Sequence, residues 1–291
     1  MSAPAETIGR QPTAAKVRGT AFYVLLLVCV SVGFVLLFTL IVDVIQKGVG
    51  YLDPVLFTEP NSTSPDRAGA GPAILGTIYM MLLLLVMVVP IGVGTAIYLE
   101  EYADRGRWYN RLLELNIQNL AAVPSIDYGI LGLAFLVRGI GLGRVLLAGA
   151  LILTLLVLPT VIVAAREAIR AVPDSIRQGA YALGATQWQV VSRQVLPAAI
   201  PGIATGSILA LARAIGETAP LLLVGALTYV VVNPSLLGSF TALPVQIYQW
   251  IARPQDEFRL LAAAGIIVLL AILLTMNAFA IWLRNRYQRR W

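Results

Sequence analysis

The sequence predicts an all-α integral membrane protein with six transmembrane helices, and three observations carry that reading. Of its 291 residues 58% are hydrophobic and only 12% charged, whereas soluble domains are about half apolar and a quarter charged. The chain holds several uncharged runs close to the length of about 20 residues that an α-helix needs to cross a bilayer. Its basic residues are then shared unequally between the two sides that those runs define. The mean hydropathy of +0.82 agrees. The 21 basic and 15 acidic side chains are too few to cover a soluble protein of this size.

The first run covers residues 21–42 and follows Arg10, Lys16 and Arg18. It is too long for a signal-peptide core and lacks a small-x-small cleavage site, so it is expected to remain as an anchor. The second, 73–99, carries no charge. The third, 115–137, is unusually polar, with Asn116, Gln118, Asn119, Ser125 and Asp127. The fourth is 145–165 and the sixth 260–283. Between them the apolar stretch 198–232 is interrupted by Arg213, Glu217 and Pro220. Two spans there would have about 17 residues each and no turn, at the lower limit for crossing. One tilted helix followed by an apolar re-entrant or loop segment after Pro220 fits better. The predicted organisation is an N-terminal tail (1–20), a transmembrane domain (21–283) containing the loop 166–197, and a C-terminal tail (284–291).

Six spans put both termini on one side. On that side lie fourteen basic residues: Arg10, Lys16, Arg18, Arg105, Arg107, Arg111, Arg166, Arg170, Arg177, Arg193, Arg284, Arg286, Arg289 and Arg290. The other side holds six: Lys47, Arg67, Arg138, Arg144, Arg253 and Arg259. This bias predicts cytoplasmic termini. It also accounts for the net charge of +6 and the pI near 9.7 without any nucleic-acid partner. Arg284–Trp291 reads as a stop-transfer anchor on anionic lipid.

Other chemistries are weakly represented. The single cysteine, Cys29, permits no intrachain disulfide, and there is no histidine for acid/base work or metal ligation. Neither lysine closes a GxxxxGK[ST] loop, so the chain is not expected to hold ATP itself. No catalytic residues and no metal site are expected. The sequon Asn61-Ser62-Thr63 reads as accidental.

The segment 166–197 is the informative one. Ser175 with Gln178 three residues later forms a capping box, opening a helix over 176–183 that stops at Gly184. Thr186 with Gln189 forms a second, opening a helix over 187–196 before Pro197. The expectation is a helix, a glycine bend and a second helix along the membrane surface, with Trp188 at the interface. Gln178-Gly179-Ala180, then Gly184, then Leu196-Pro197 resembles the "EAA…G…LP" loop of ABC importer permeases. Gln178 stands where that family usually has Glu, and Gln194 where it usually has Ile.

Two further stretches resemble the A-type permeases of phosphate-specific (Pst) importers: residues 119–129, with Asn119, Pro124, Ser125, Asp127, Tyr128 and Gly129, and the run Arg213-Ala-Ile-Gly216-Glu217-Thr218-Ala219-Pro220. The resemblance covers about residues 70–283 and implies the fold of type I ABC importer permeases. It further implies a bacterial cytoplasmic membrane location and a C-type phosphate permease as partner. Two ATP-binding subunits would carry ATP and Mg, and a phosphate-binding protein would sit outside the membrane. The implied ATPase-coupling residues are Ser175, Gln178, Gly179, Ala180, Tyr181, Leu183 and Gly184. The candidate pathway residues are Arg213, Glu217, Thr218, Asn119, Ser125 and Tyr128; of these, Asn119, Ser125, Tyr128 and Thr218 either hydrogen-bond a passing anion or serve as contacts between packed helices. A charged residue inside a span costs about 2.5–3.5 kcal/mol, so Arg213 and Glu217 need a reason. Spaced i,i+4, they either lock the fifth span or present a guanidinium to a passing anion. Gly129 and Gly132 are expected at a close helix contact, and Gly139, Gly141 and Gly143 in a tight turn. Two alternatives stand beside this reading: a permease for another oxyanion such as sulfate or molybdate, and an ion-coupled secondary transporter using Arg213, Glu217 and Asp127.

Overall fold

The computed structural model describes residues 13–104, 106–226, 230 and 233–287, and these are helical with short connections. Arg10, Arg105, Arg289 and Arg290 of the basic tally lie outside the described residues, as does part of the stretch 198–232. Five helical segments are long and apolar enough to cross a bilayer: Arg18–Tyr51, Gly71–Tyr102, Leu146–Arg170, Gln187–Ile215 and Asp256–Arg286. A sixth exists if the bent pair Trp108–Ala121 and Ser125–Gly139 makes one crossing. The third span is therefore not the continuous helix expected over 115–137. Its two halves meet at 105°, because Pro124 lacks the N–H that would carry the helix through.

Helix α1 (Thr13–Gly48) is apolar all round and exposed along nearly its whole length, as a lipid-facing span is. At its far end Gly48 lies so close to α12 (Asp256–Tyr287) that a Cβ would come within 2.7 Å of the Ala263 and Ala264 backbone. The bundle centre is α3 (Gly71–Ile97), α6 (Leu146–Arg170) and α9 (Leu196–Ile215). Met80, Leu84 and Val88 of α3 recur every fourth residue and interlock with Leu146, Ala150, Leu153, Val157 and Val161 of α6. Ala210, Leu211 and Ala214 of α9 close the same core.

The end opposite the 166–197 loop is capped by α2 (Pro54–Thr58), α11 (Leu243–Ile251) and their connections. Buried Trp250 donates Nε1–H to Asn61 Oδ1 at 3.0 Å, and Arg253 donates to the Ser62 carbonyl at 2.8 Å. The Asn61 side chain is thus buried structure, in keeping with an accidental sequon. Thr77 Oγ1 accepts from the Leu243 N–H at 2.8 Å and donates to Ala73 O, tying α11 to α3.

α4 (Trp108–Ala121) has 14 residues, about 21 Å of helix, too short to cross alone. α5 (Ser125–Gly132) continues into a wide helical turn over Leu133–Gly139. Gly141 and Gly143, at φ +77° and +78°, make the tight turn that follows. The apolar stretch 198–232 contains one crossing helix, α9, and then the short α10 (Ala219–Val224). The break falls at Gly216–Thr218, just before Pro220 rather than after it.

Gly76 faces the Thr241 carbonyl, which a Cβ would approach to 2.1 Å. A backbone oxygen cannot swing aside, so Gly76→Val should force α3 off the cap and cost about 1–3 kcal/mol. A clearly lowered Tm of the purified protein in detergent is the expected readout.

Candidate functional site

Two regions carry the residues singled out by the sequence. The first is the 166–197 loop. α7 (Asp174–Ala182) begins two residues earlier than expected, with Pro173 at its N-cap. Ser175 lies inside the first turn and forms no cap, a correction whose cause is Pro173, whose ring angle suits a helix start and whose side chain makes no hydrogen bond. Asp174 supplies the favourable negative charge there. The C-terminus ends in a Schellman turn: the Gly184 N–H donates to Tyr181 O at 2.9 Å and the Ala185 N–H to Ala180 O at 3.1 Å, with Gly184 at φ +80°. The Thr186–Gln189 capping box is present and opens α8 (Gln187–Val190). This second helix does not stop before Pro197. It widens into a π-turn over Val191–Val195 and runs on as α9. Pro197 falls in the first turn of α9, and the wider turn just before it lies where proline removes a hydrogen bond.

Ile176 and Ala180 turn inward and pack on a cluster of Ala96, Ala165, Ile169, Val172 and Val190. Ser175, Gln178, Gly179, Tyr181 and Gly184 face outward. Leu183 projects with 91% of its surface exposed, and Trp188 is also exposed.

The sequence reading missed what holds this loop. α3 ends in a π-turn, Tyr98–Tyr102, carrying Glu100 and Glu101. Glu100, with a side chain 4% exposed, accepts from Arg166 Nε and Arg170 Nη2, both at 2.8 Å. Arg166 also bonds Glu114 of α4. Glu101, equally buried, accepts from Arg177 Nη2 at 2.9 Å. Arg177 reaches further, donating to the carbonyls of Ile169 (3.0 Å) and Val172 (2.6 Å) at the C-terminal end of α6. These carbonyls lie in and just past the last turn of α6, where C=O groups lack i+4 partners, so a guanidinium fits them. Gln187 of α8 donates to the Glu101 carbonyl. The arginines had been counted only for membrane topology; two adjacent acids at the end of an uncharged run were the available signal.

The second region joins the stretches 119–129 and 212–222. α5 and α10 pack side by side, with Gly129 against Pro220 and Leu223, where a Cβ would come within 2.8 Å of Pro220 Cα. Gly132 meets Ile152 in the same way. The Tyr128 side chain is buried and donates its hydroxyl to Leu120 O at 2.8 Å across the bend. That hydroxyl thus ties α4 to α5. Asn119 is exposed, while Ser125 and Thr218 are half-buried; Thr218 donates to Gly216 O. Asp127 stands in the first turn of α5, where the break at Pro124 creates a helix N-terminus that favours a carboxylate.

Arg213 and Glu217 do not share a helix face as expected, because α9 ends at Ile215 and Gly216 caps it. The pair nevertheless closes across that end at 3.5 Å, longer than a charge-assisted hydrogen bond. The carboxylate is mostly covered (16% exposed) and the guanidinium is 69% exposed. A forked cation is therefore held from one side and open on the other. No hydrogen bond joins it to Asn119, Ser125 or Thr218 among the described residues.

Residues 88–291 match the family described as "Binding-protein-dependent transport system inner membrane component". The chain belongs to this family. It is accordingly an inner-membrane subunit of an ABC importer, with the permease fold. It is 34% identical over 222 residues to "Phosphate transport system permease protein PstA 1" of Mycobacterium tuberculosis, covering 76% of this chain and 72% of that one. It is 34% identical over 250 residues to the Yersinia pestis protein named "Phosphate transport system permease protein PstA", covering 85% and 83%. Among solved structures, a bacterial alginate ABC transporter in complex with an alginate pentasaccharide-bound periplasmic protein contains a chain of the same fold. The TM-score is 0.67 at 17% identity, over 96% of this chain and 99% of that one.

Removing one partner of a buried ion pair strands the other, at a cost of about 3–5 kcal/mol. Arg177→Met and Glu101→Gln should each lower the stability of the purified permease by an amount of that order. The double variant should lose clearly less than the two together, and a thermal-unfolding double-mutant cycle reads this directly.

Proposed function

We propose that this chain is the permease subunit of an ATP-driven phosphate importer, supplying half of the translocation path and no chemistry of its own. The observation that carries the ATP-driven part is the loop 174–190, which presents Leu183 outward while Arg177 fastens it to two spans. The substrate assignment draws support from the relatives named as phosphate permeases and from Arg213, whose open guanidinium suits a doubly charged oxyanion. The sulfate/molybdate reading and the ion-coupled secondary transporter have no comparable support.

In this reading the other half of the path comes from a C-type phosphate permease. Two ATP-binding subunits, which would carry ATP and Mg, seat the coupling residues Ser175, Gln178, Gly179, Ala180, Tyr181, Leu183 and Gly184. An extracytoplasmic phosphate-binding protein delivers the anion, and both termini face the cytoplasm. When ATP draws the ATPase subunits together, the pull on α7 passes through Arg177 to Glu101 at the end of α3 and to the end of α6. Those spans then tilt and reverse the access of the cavity. Arg213, with Asn119, Ser125 and Thr218 near its pathway, meets the anion only in passing. Glu217 competes for the guanidinium and keeps phosphate from being held too long.

Arg213→Gln should lower phosphate uptake by about tenfold or more, in line with charge-assisted bonds worth about 1.5–3 kcal/mol, while the complex still co-purifies. Uptake at the wild-type rate would remove Arg213 from the path. Transport by this chain alone without nucleotide would overturn the importer reading. Gly184→Val forces a branched side chain into the left-handed region, so it should break the turn that projects Leu183. The expected result is ATP hydrolysis no longer matched to phosphate moved, measured in proteoliposomes.

A further inference from the structure

A groove of about 650 Å³ runs between α3, α9 and α12 on the outside of the bundle core. Its walls are aliphatic, including Leu85 and Val89 of α3, Ile200 and Ile208 of α9, and Ala280 and Leu283 of α12, and its one charged lining residue is Arg284. We infer that this groove holds one anionic phospholipid, with an acyl chain along α9 and the headgroup phosphate on Arg284.

Four observations favour that occupant. The groove follows α9 from Pro197 to Leu211, about 21 Å of helix, which matches one bilayer leaflet with its headgroup zone, about 20–22 Å. Arg284 is oriented by neutral groups alone, with Nη1–H to Thr205 Oγ1 at 2.8 Å and Nε and Nη2 to Asn285 Oδ1 at 3.2 and 3.0 Å. No carboxylate among the described residues pairs with it, so its charge awaits an anion. Beside it stand the markers of a headgroup level: Trp282 stacked on Phe279, with Arg286 over the indole at 5.7 Å. Finally, nine residues separate Ala204 in the groove from Arg213, a rotation of about 180° round α9. The groove therefore opens on the face opposite the guanidinium, toward lipid, a point that rests on Arg213 lining the transport path.

Such a lipid would fill the space between the last span and the helix driven by the coupling loop, and its charge would select it over zwitterionic neighbours. The test is native mass spectrometry of the assembled importer titrated with phosphatidylglycerol or phosphatidylcholine of identical acyl chains. One phosphatidylglycerol per copy should be retained, about fivefold more tightly than phosphatidylcholine. Arg284→Gln should remove that preference, and Arg284→Lys should keep part of it. Ala204→Phe, which fills the groove, should lower retention of both lipids. Equal retention of the two lipids by the wild type, or an unchanged preference in Arg284→Gln, overturns the site. Displacement of the lipid by millimolar inorganic phosphate would make Arg284 a free-anion site instead. Cross-linking of Ser207→Cys to the partner permease would make the groove a subunit interface, which also overturns it. If lipid selection fails while Arg213→Gln still stops uptake, the lipid site alone is wrong; if lipid is selected while Arg213→Gln transports normally, the path assignment alone is wrong.

Discussion

Two adjacent carboxylates at the end of α3 hold the 166–197 end of the molecule together. In a bilayer each helix satisfies its own backbone, so it has only side chains with which to grip a neighbour. At this end the grip is electrostatic. Glu100 draws in Arg166 and Arg170 of α6, Arg166 draws in Glu114 of α4, and Glu101 draws in Arg177 of α7. Both acids are almost fully covered, so each is tolerable only while its arginines stay in place. The loop's orientation, and with it the direction in which Leu183 points, depends on this cluster.

An apolar core lies beneath the cluster. Ile176 and Ala180 rest on Ala96, Ala165 and Ile169, so α7 packs on the ends of α3 and α6 as well as being ion-paired to them. The π-turn Val191–Val195 lies between this packed cluster and α9, where the ladder of hydrogen bonds is irregular. The cluster and α9, which carries Arg213 in its last turn, are thus connected through a wider helical turn.

Most of the architecture was legible in the sequence because length and apolarity alone define a span. The runs 73–99 and 145–165 fall on α3 and α6, overrunning the first by two residues and the second by one. The Thr186–Gln189 cap and the stop at Gly184 were legible too, since both are local bonding patterns. Ser175 misled because the capping pattern ignores the Pro173-Asp174 pair just before it. The bend at Pro124 hid because composition cannot distinguish one polar span from two helices at an angle, and Asp127 then had no evident place. Glu100 and Glu101 were invisible as partners of the arginines: they meet Arg166, Arg170 and Arg177 across 66, 70 and 76 residues, and no periodicity reports a contact at that distance. The site stretches 119–129 and 212–222 were readable as motifs, but their adjacency through Gly129 and Pro220 is tertiary information.

The packing of α1 has a consequence for how the molecule is made. Its close backbone contact at Gly48, on Ala263 and Ala264, is with residues 215 or more positions further along the chain. At ribosomal rates of about 5–20 residues per second, roughly 10–40 s pass before that partner exists. Throughout that interval α1 must persist in lipid as a solitary helix. Its unbroken apolar surface, which contributes little to the finished core, is what allows it to wait there.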